Sequence, residues 1–112
     1  MVIYFKIKKL QKICSTQKEM QKKYGARISR KLMQRLMELQ AAESLKEISH
    51  LPPPRCHALS EDRAGQFSID LIHPYRLLFI PIMNSIPVVE GKDMDRGKIS
   101  EIAIIEIADT HE

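Results

Sequence analysis

Arg63 and Arg76 stand in two consecutive runs patterned like the arms of a strand hairpin, and Asp109 and His111 close a third apolar run at the end of the chain. Guanidinium offers a planar fork of donors that never loses its charge, and imidazole titrates near neutral pH. A hairpin carrying two arginines, with a histidine brought alongside by a final strand, is a cradle for a phosphate. Arg55 and His57, just before the hairpin, can line the same groove.

The elements that must position these groups follow from periodicity. Phe67, Ile69 and Leu71 alternate with Gln66, Ser68 and Asp70, the period of a half-buried strand. From Tyr75 to Ile80 the chain is apolar on both parities except at Arg76, which predicts a central strand covered on both faces. An arginine buried there must meet an anion, a carboxylate or solvent at the strand's end. Ile72-His73-Pro74 joins the two runs, and Pro suits a turn or strand start, so a tight antiparallel hairpin is expected.

Around the hairpin, Ile3, Phe5 and Ile7 predict a first strand over residues 2–8. Leu10, Ile13, Met20 and Tyr24 fit a helix ended by Gly25; Ile28, Leu32, Leu36, Leu39 and Leu45 carry a second, longer one to roughly Ile48. Two amphipathic helices of this kind need a sheet to cover their apolar stripes. Pro52-Pro53-Pro54 reads as a short, stiff, extended connector, residues 84–98 as a polar loop, and Ile102, Ile104, Ile105 and Ile107 as the last strand. The order strand, helix, helix, then three strands gives an α+β domain, helices packed on one face of a mainly antiparallel sheet, with residues 1–112 as one domain. No internal repeat is visible.

Composition bounds the function. A chain of 112 residues with 44% hydrophobic residues suits one modest core. The formal net charge of +4 hides an asymmetry: Met1 to Arg30 carries nine Lys/Arg against one Glu, and Leu51 to Glu112 six against ten Asp/Glu. A basic front suits nucleic acid or an acidic partner, or is simply a solvated helix face. Apolar runs such as Leu77 to Met83 are strand-sized, so neither a signal peptide nor a membrane span is expected and the cytoplasm is the expected location. Cys14 and Cys56 make no disulfide framework, and with His50, His57, His73 and His111 they form no pair at zinc-like spacing, so no metal site is read. Asp93-Met94-Asp95-Arg96-Gly97 does not match a calcium loop.

Three blocks in order, Leu59-Ser60-Glu61-Asp62-Arg63-Ala64-Gly65-Gln66-Phe67-Ser68, then Pro74-Tyr75-Arg76-Leu77, then Asp109-Thr110-His111 after a strand, resemble the RelE/ParE toxin superfamily, and within it the HigB-like (plasmid-maintenance killer) branch. The resemblance covers nearly the whole chain in element order. It implies the toxin of a type II toxin-antitoxin system: a ribosome-dependent endoribonuclease that cuts messenger RNA and inhibits translation without metal or cofactor. Its implied partners are the ribosome, messenger RNA and a cognate antitoxin, HigA-like with a helix-turn-helix. In such cleavage the ribose hydroxyl attacks its own phosphate, so a proton is taken, another is given and negative charge is stabilised. For that chemistry His111 is the candidate acid or base, Asp109 its orienting neighbour on the same strand parity, Arg63 and Arg76 the phosphate clamps, and Arg55, His57 and Lys98 the RNA contacts, Lys98 as a cation to stand in for one the family has elsewhere.

Two positions depart from the family pattern. Ser60 stands where the HigB-like branch has its catalytic lysine, and Thr110 where it has a tyrosine. Those departures keep two alternatives open: a ParE-like toxin that inhibits DNA gyrase without cutting RNA, and a decayed relic that only binds its antitoxin. Structural roles are open too: Arg63 can pair with Asp62 or Asp70, Arg76 with Glu106, and His57 can be a turn residue.

Overall fold

The computed structural model describes residues 1–83, 86–87 and 95–109. Strand β1 (Val2–Phe5) opens the chain, followed by helices α1 (Lys8–Ile13), α2 (Gln17–Tyr24) and α3 (Ala26–Ala41). Strands β2 (His57–Ala58), β3 (Phe67–Asp70), β4 (Tyr75–Met83), β5 (Ile86–Pro87) and β6 (Glu101–Asp109) follow. They form a six-stranded sheet in the order β1-β6-β4-β3-β2, with β5 paired to β4. β1 runs parallel to β6 and every other pairing is antiparallel. The α+β architecture expected from the sequence is present.

The first expected helix is two. Thr16 caps α2 by accepting from the Glu19 backbone N–H at 3.2 Å, and the Thr16-x-x-Glu19 spacing is that of a capping box. Gly25, at φ +84°, then serves as both the end of α2 and the cap of α3, a left-handed angle that L side chains rarely adopt. α3 stops at Ala41, short of the expected Ile48. The Met1 ammonium donates to the carbonyls of Leu39 (3.1 Å), Gln40 (3.0 Å) and Ala42, placing a positive charge on the negative end of the helix. Leu45 nevertheless reaches the core, in a one-turn 3-10 helix anchored by its N–H to the Ile99 carbonyl at 2.9 Å.

The three prolines turn where an extended connector was expected. Arg55 N–H donates to the Leu51 carbonyl (3.0 Å) and Cys56 N–H to that of Ser49 (2.9 Å), so the segment doubles back. The Pro54 carbonyl then accepts from Asp70 N–H at 2.7 Å and ties the turn to β3. Within the expected polar loop, residues 84–85 and 88–94 lie outside the described residues, and Arg96–Lys98 forms a 3-10 turn.

One face of the sheet packs on the helices. Leu10, Met20, Leu32, Leu36 and Leu39 meet Phe67, Ile69, Leu77, Phe79, Ile102 and Ile104 there. The Phe67 and Phe79 rings stack at 5.8 Å, and the Arg96 guanidinium lies 5.3 Å from the Phe67 centroid. Arg35, 2% exposed, crosses this layer: its Nε donates to the Asp70 carbonyl at 2.9 Å and its Nη1 to Glu38 Oε1 at 2.9 Å. Truncation removes the donor and leaves a void. Arg35→Ala is therefore expected to lower stability by about 3 kcal/mol, measured by urea unfolding.

Burial pushes the Cys14 and Cys56 thiols up from 9.0 to about 11, Arg96 opposing the shift at Cys56. In the unfolded chain both thiols ionise first. Their stability contribution is thus whole below pH 9 and is lost as pH rises toward 11. Urea midpoints measured across that interval should fall, and Cys14→Ala should flatten the slope.

Candidate functional site

The face of the sheet away from the helices gathers the arginines. Register decides which residues share it: His57 lies opposite Ser68, Ser68 opposite Leu78, and Asp70 opposite Arg76. Residues directly opposite in an antiparallel pair point to the same side. A bulge in β6 completes the row, because Glu106 opposes Leu78 while Ile104 opposes Phe79, which leaves Ile105 over. From that point the strand changes parity, so Glu106 and Ala108 fall on the arginine face and Ile107 on the helix face.

Asp70 is the hub of this face. Its Oδ2 accepts from Arg55 Nε at 2.8 Å and its Oδ1 from Arg55 Nη2 at 3.1 Å, a bidentate pair. Hydrogen bonding to Asp70 raises the Arg55 pKa further above its ordinary value. Arg76 Nε stands 3.6 Å from the same Oδ1. Arg76 itself is only 9% exposed, and its Nη1 and the Ser68 hydroxyl are buried with no hydrogen-bond partner among the described residues. Two buried donors without acceptors, on neighbouring strands of one face, are electrostatic demand for an anion or a polar ligand. Arg55 sits at φ +48°, a left-handed angle held by its own N–H bond to Leu51 on one side and the Cys56 N–H bond to Ser49 on the other.

Arg63 belongs to the same face. Its Nη1 donates to Gln66 Oε1 at 3.0 Å and meets Glu106 Oε1 at 3.4 Å. Among the described residues the pairings open at the sequence level resolve crosswise: Arg63 takes Glu106, and Arg76 takes Asp70. His57 Nδ1 lies 3.1 Å from the Arg55 carbonyl oxygen, a contact that the Nδ1–H tautomer satisfies. Arg55, His57, Arg63 and Arg76 are thus brought together.

Asp109 and Lys98 are not. Asp109 opposes Tyr75, whose side chain packs against the core, so the register assigns it to the helix side, away from Arg76. Lys98 is exposed in the turn before β6, at the end of that strand away from Ala108, the residue opposite Arg76. Thr110 and His111 lie outside the described residues. Ser60 precedes the one-turn 3-10 helix Glu61–Arg63 that carries Arg63. Sequence reasoning passed over Ser68, whose signal was its shared parity with Asp70, and Arg35, hidden among helix-surface charges. Among the described residues, no three His, Cys, Asp or Glu side chains gather as metal ligands.

No family model matches the chain, and no curated protein does. Among solved structures it is similar to the YoeB/ParE toxin from Agrobacterium tumefaciens, with a TM-score of 0.59 over 99% of this chain and 100% of that one. The fold is of the YoeB/ParE toxin type. Sequence identity is 12%, so the likeness lies in the path of the backbone. No described helix is long and apolar enough to cross a membrane.

The two arginines on Asp70 differ in what their loss leaves behind. Removing Asp70 strands Arg76 in a buried setting, whereas Arg55 is about a third exposed and can turn to water. Asp70→Ala should lower stability by about 3 kcal/mol and Arg55→Ala by under about 1 kcal/mol in urea unfolding. The reverse order would contradict the hub.

Proposed function

We propose that this chain is the toxin of a type II toxin-antitoxin pair, HigB-like, and that it cuts messenger RNA on the ribosome without a metal. The observation that carries the reading is the buried Arg76, whose Nη1, like the Ser68 hydroxyl on the same face of the sheet, has no partner among the described residues. A phosphate supplies acceptors to both. Arg76 and Arg63 then stabilise the charge that builds on the phosphate as the ribose hydroxyl attacks it. His111 is proposed as the acid or base, and Arg55 and His57 as contacts to the RNA chain; Asp109, on the helix side of the sheet, and Lys98, before the far end of β6, take no part at this phosphate. The toxin-type fold supports the class, and with it a cognate antitoxin partner, HigA-like in this reading.

A second reading is favoured by one position. Ser60 offers no cation at the head of the Arg63 turn, so a ParE-like toxin that inhibits DNA gyrase without RNA cleavage needs nothing that is missing there.

Induced expression in a bacterial host separates the two. Growth arrest with messenger cleavage mapped by primer extension is expected, falling at least about a hundredfold in Arg76→Gln and in His111→Ala. Cleavage equal in both variants would remove the site assignment. Arrest with intact messenger and inhibited gyrase supercoiling would replace the ribonuclease by the gyrase reading.

A further inference from the structure

At the turn end of the hairpin, on the helix side of the sheet, two open cavities adjoin. One, about 410 Å³, is lined by the α2–α3 junction, Tyr24 to Ile28, and by Ile72, His73 and Tyr75 from the β3–β4 connection. The other, about 240 Å³, is lined by Arg27, Arg30, Lys31, Gln34 and Ile72. Arg27 and Ile72 line both, so the two chambers share a wall. The larger chamber falls in the range of about 300–1,000 Å³ that holds small organic ligands, and the smaller extends it through the shared wall.

The chambers differ in chemistry. The larger brings two phenols and an imidazole together, and the proximity of Tyr24 to Tyr75 and Cys14, after burial, raises the Tyr24 pKa. The smaller is cationic. Lys31 Nζ is tied to Gln34 Oε1 at 3.1 Å, while Arg27 and Arg30 are exposed and form no salt bridge among the described residues. α3 carries no acidic residue in its first turn; Asp109, opposite Tyr75, is the carboxylate that register brings to this end of β4.

We propose that this double cleft binds a nucleotide, its base among Tyr24, Tyr75 and His73 and its phosphate at Arg27 and Arg30. Aromatic rings stack on any base face, and guanidinium forks onto phosphate oxygens, so one ligand uses both chambers. An acidic peptide is a poorer match, since its carboxylates engage the cations and leave the aromatic chamber unfilled. The nucleotide can be free or part of an RNA strand. The RNA source rests on the ribonuclease reading above, and the chemistry of the cleft does not.

Backbone amide shifts of the whole chain, titrated with AMP, inorganic phosphate, an oligo-glutamate peptide and a short single-stranded oligoribonucleotide, test the assignment. AMP should move the amides of residues 24–28 and 72–75, and bind at least tenfold tighter than phosphate alone. Arg27→Ala, at an exposed position, should keep the melting temperature and weaken AMP at least tenfold; Tyr24→Leu should weaken AMP and leave phosphate binding unchanged. Tighter binding of the oligoribonucleotide than of AMP assigns the cleft to RNA, and equal binding assigns it to a free nucleotide. No shifts at those amides with millimolar AMP, or equal binding of the peptide, overturns the proposal. Intact messenger RNA on induced expression, with the AMP shifts retained, would remove the ribonuclease reading alone.

Discussion

Asp70 is used through all of its polar groups. Its N–H holds the proline turn through Pro54, its carbonyl accepts from the buried Arg35 of α3, and its carboxylate takes Arg55 and stands against Arg76. One residue at the end of β3 therefore joins the helix layer, the connector, the hairpin and the arginine face. Each arginine brings a charge that burial penalises, and each is tolerable because the others and the shared carboxylate are fixed in place. The hub also explains why a chain this size spends two largely buried guanidiniums: they cross-link layers that a small core alone holds weakly.

Much of this is legible in the sequence. A run apolar on both parities marks β4 and isolates Arg76 as a residue in need of an anion, because nothing else there can satisfy it. The partner was not legible. Cross-strand neighbours depend on register, and register here is set by the turn between β3 and β4 and by a bulge that no residue type announces. The reading allowed Arg76 with Glu106 and Arg63 with Asp70; the register exchanges them. The helix break had a visible sign in Thr16-x-x-Glu19, overridden by apolar spacing that runs across it. The early stop of α3 had none, since its cap is the chain's own first residue.

The bulge in β6 has the larger chemical effect. Without it, alternation from Ile102 and Ile104 would send Asp109 to the arginine face and Glu106 toward the helices. With it, a carboxylate arrives beside Arg63 and Asp109 moves to the side of Tyr75. The arginine face thereby gains a second counter-charge, and the end of β4 presents different chemistry on its two sides: guanidinium at Arg76, phenol at Tyr75.

Two carboxylates on a face with three arginines set a condition on any anion that binds there. It must compete with Asp70 and Glu106, and an exchange of one singly charged oxygen pair for another yields little. The balance tips only through groups the carboxylates leave unused. Arg76 Nη1 and the Ser68 hydroxyl are those groups, and both are already desolvated, so an acceptor placed between them gains hydrogen bonds without stripping water from the protein side. Asp70 can retain Arg55 while a phosphate takes the free edge of Arg76, which makes the hub compatible with a site instead of a substitute for one.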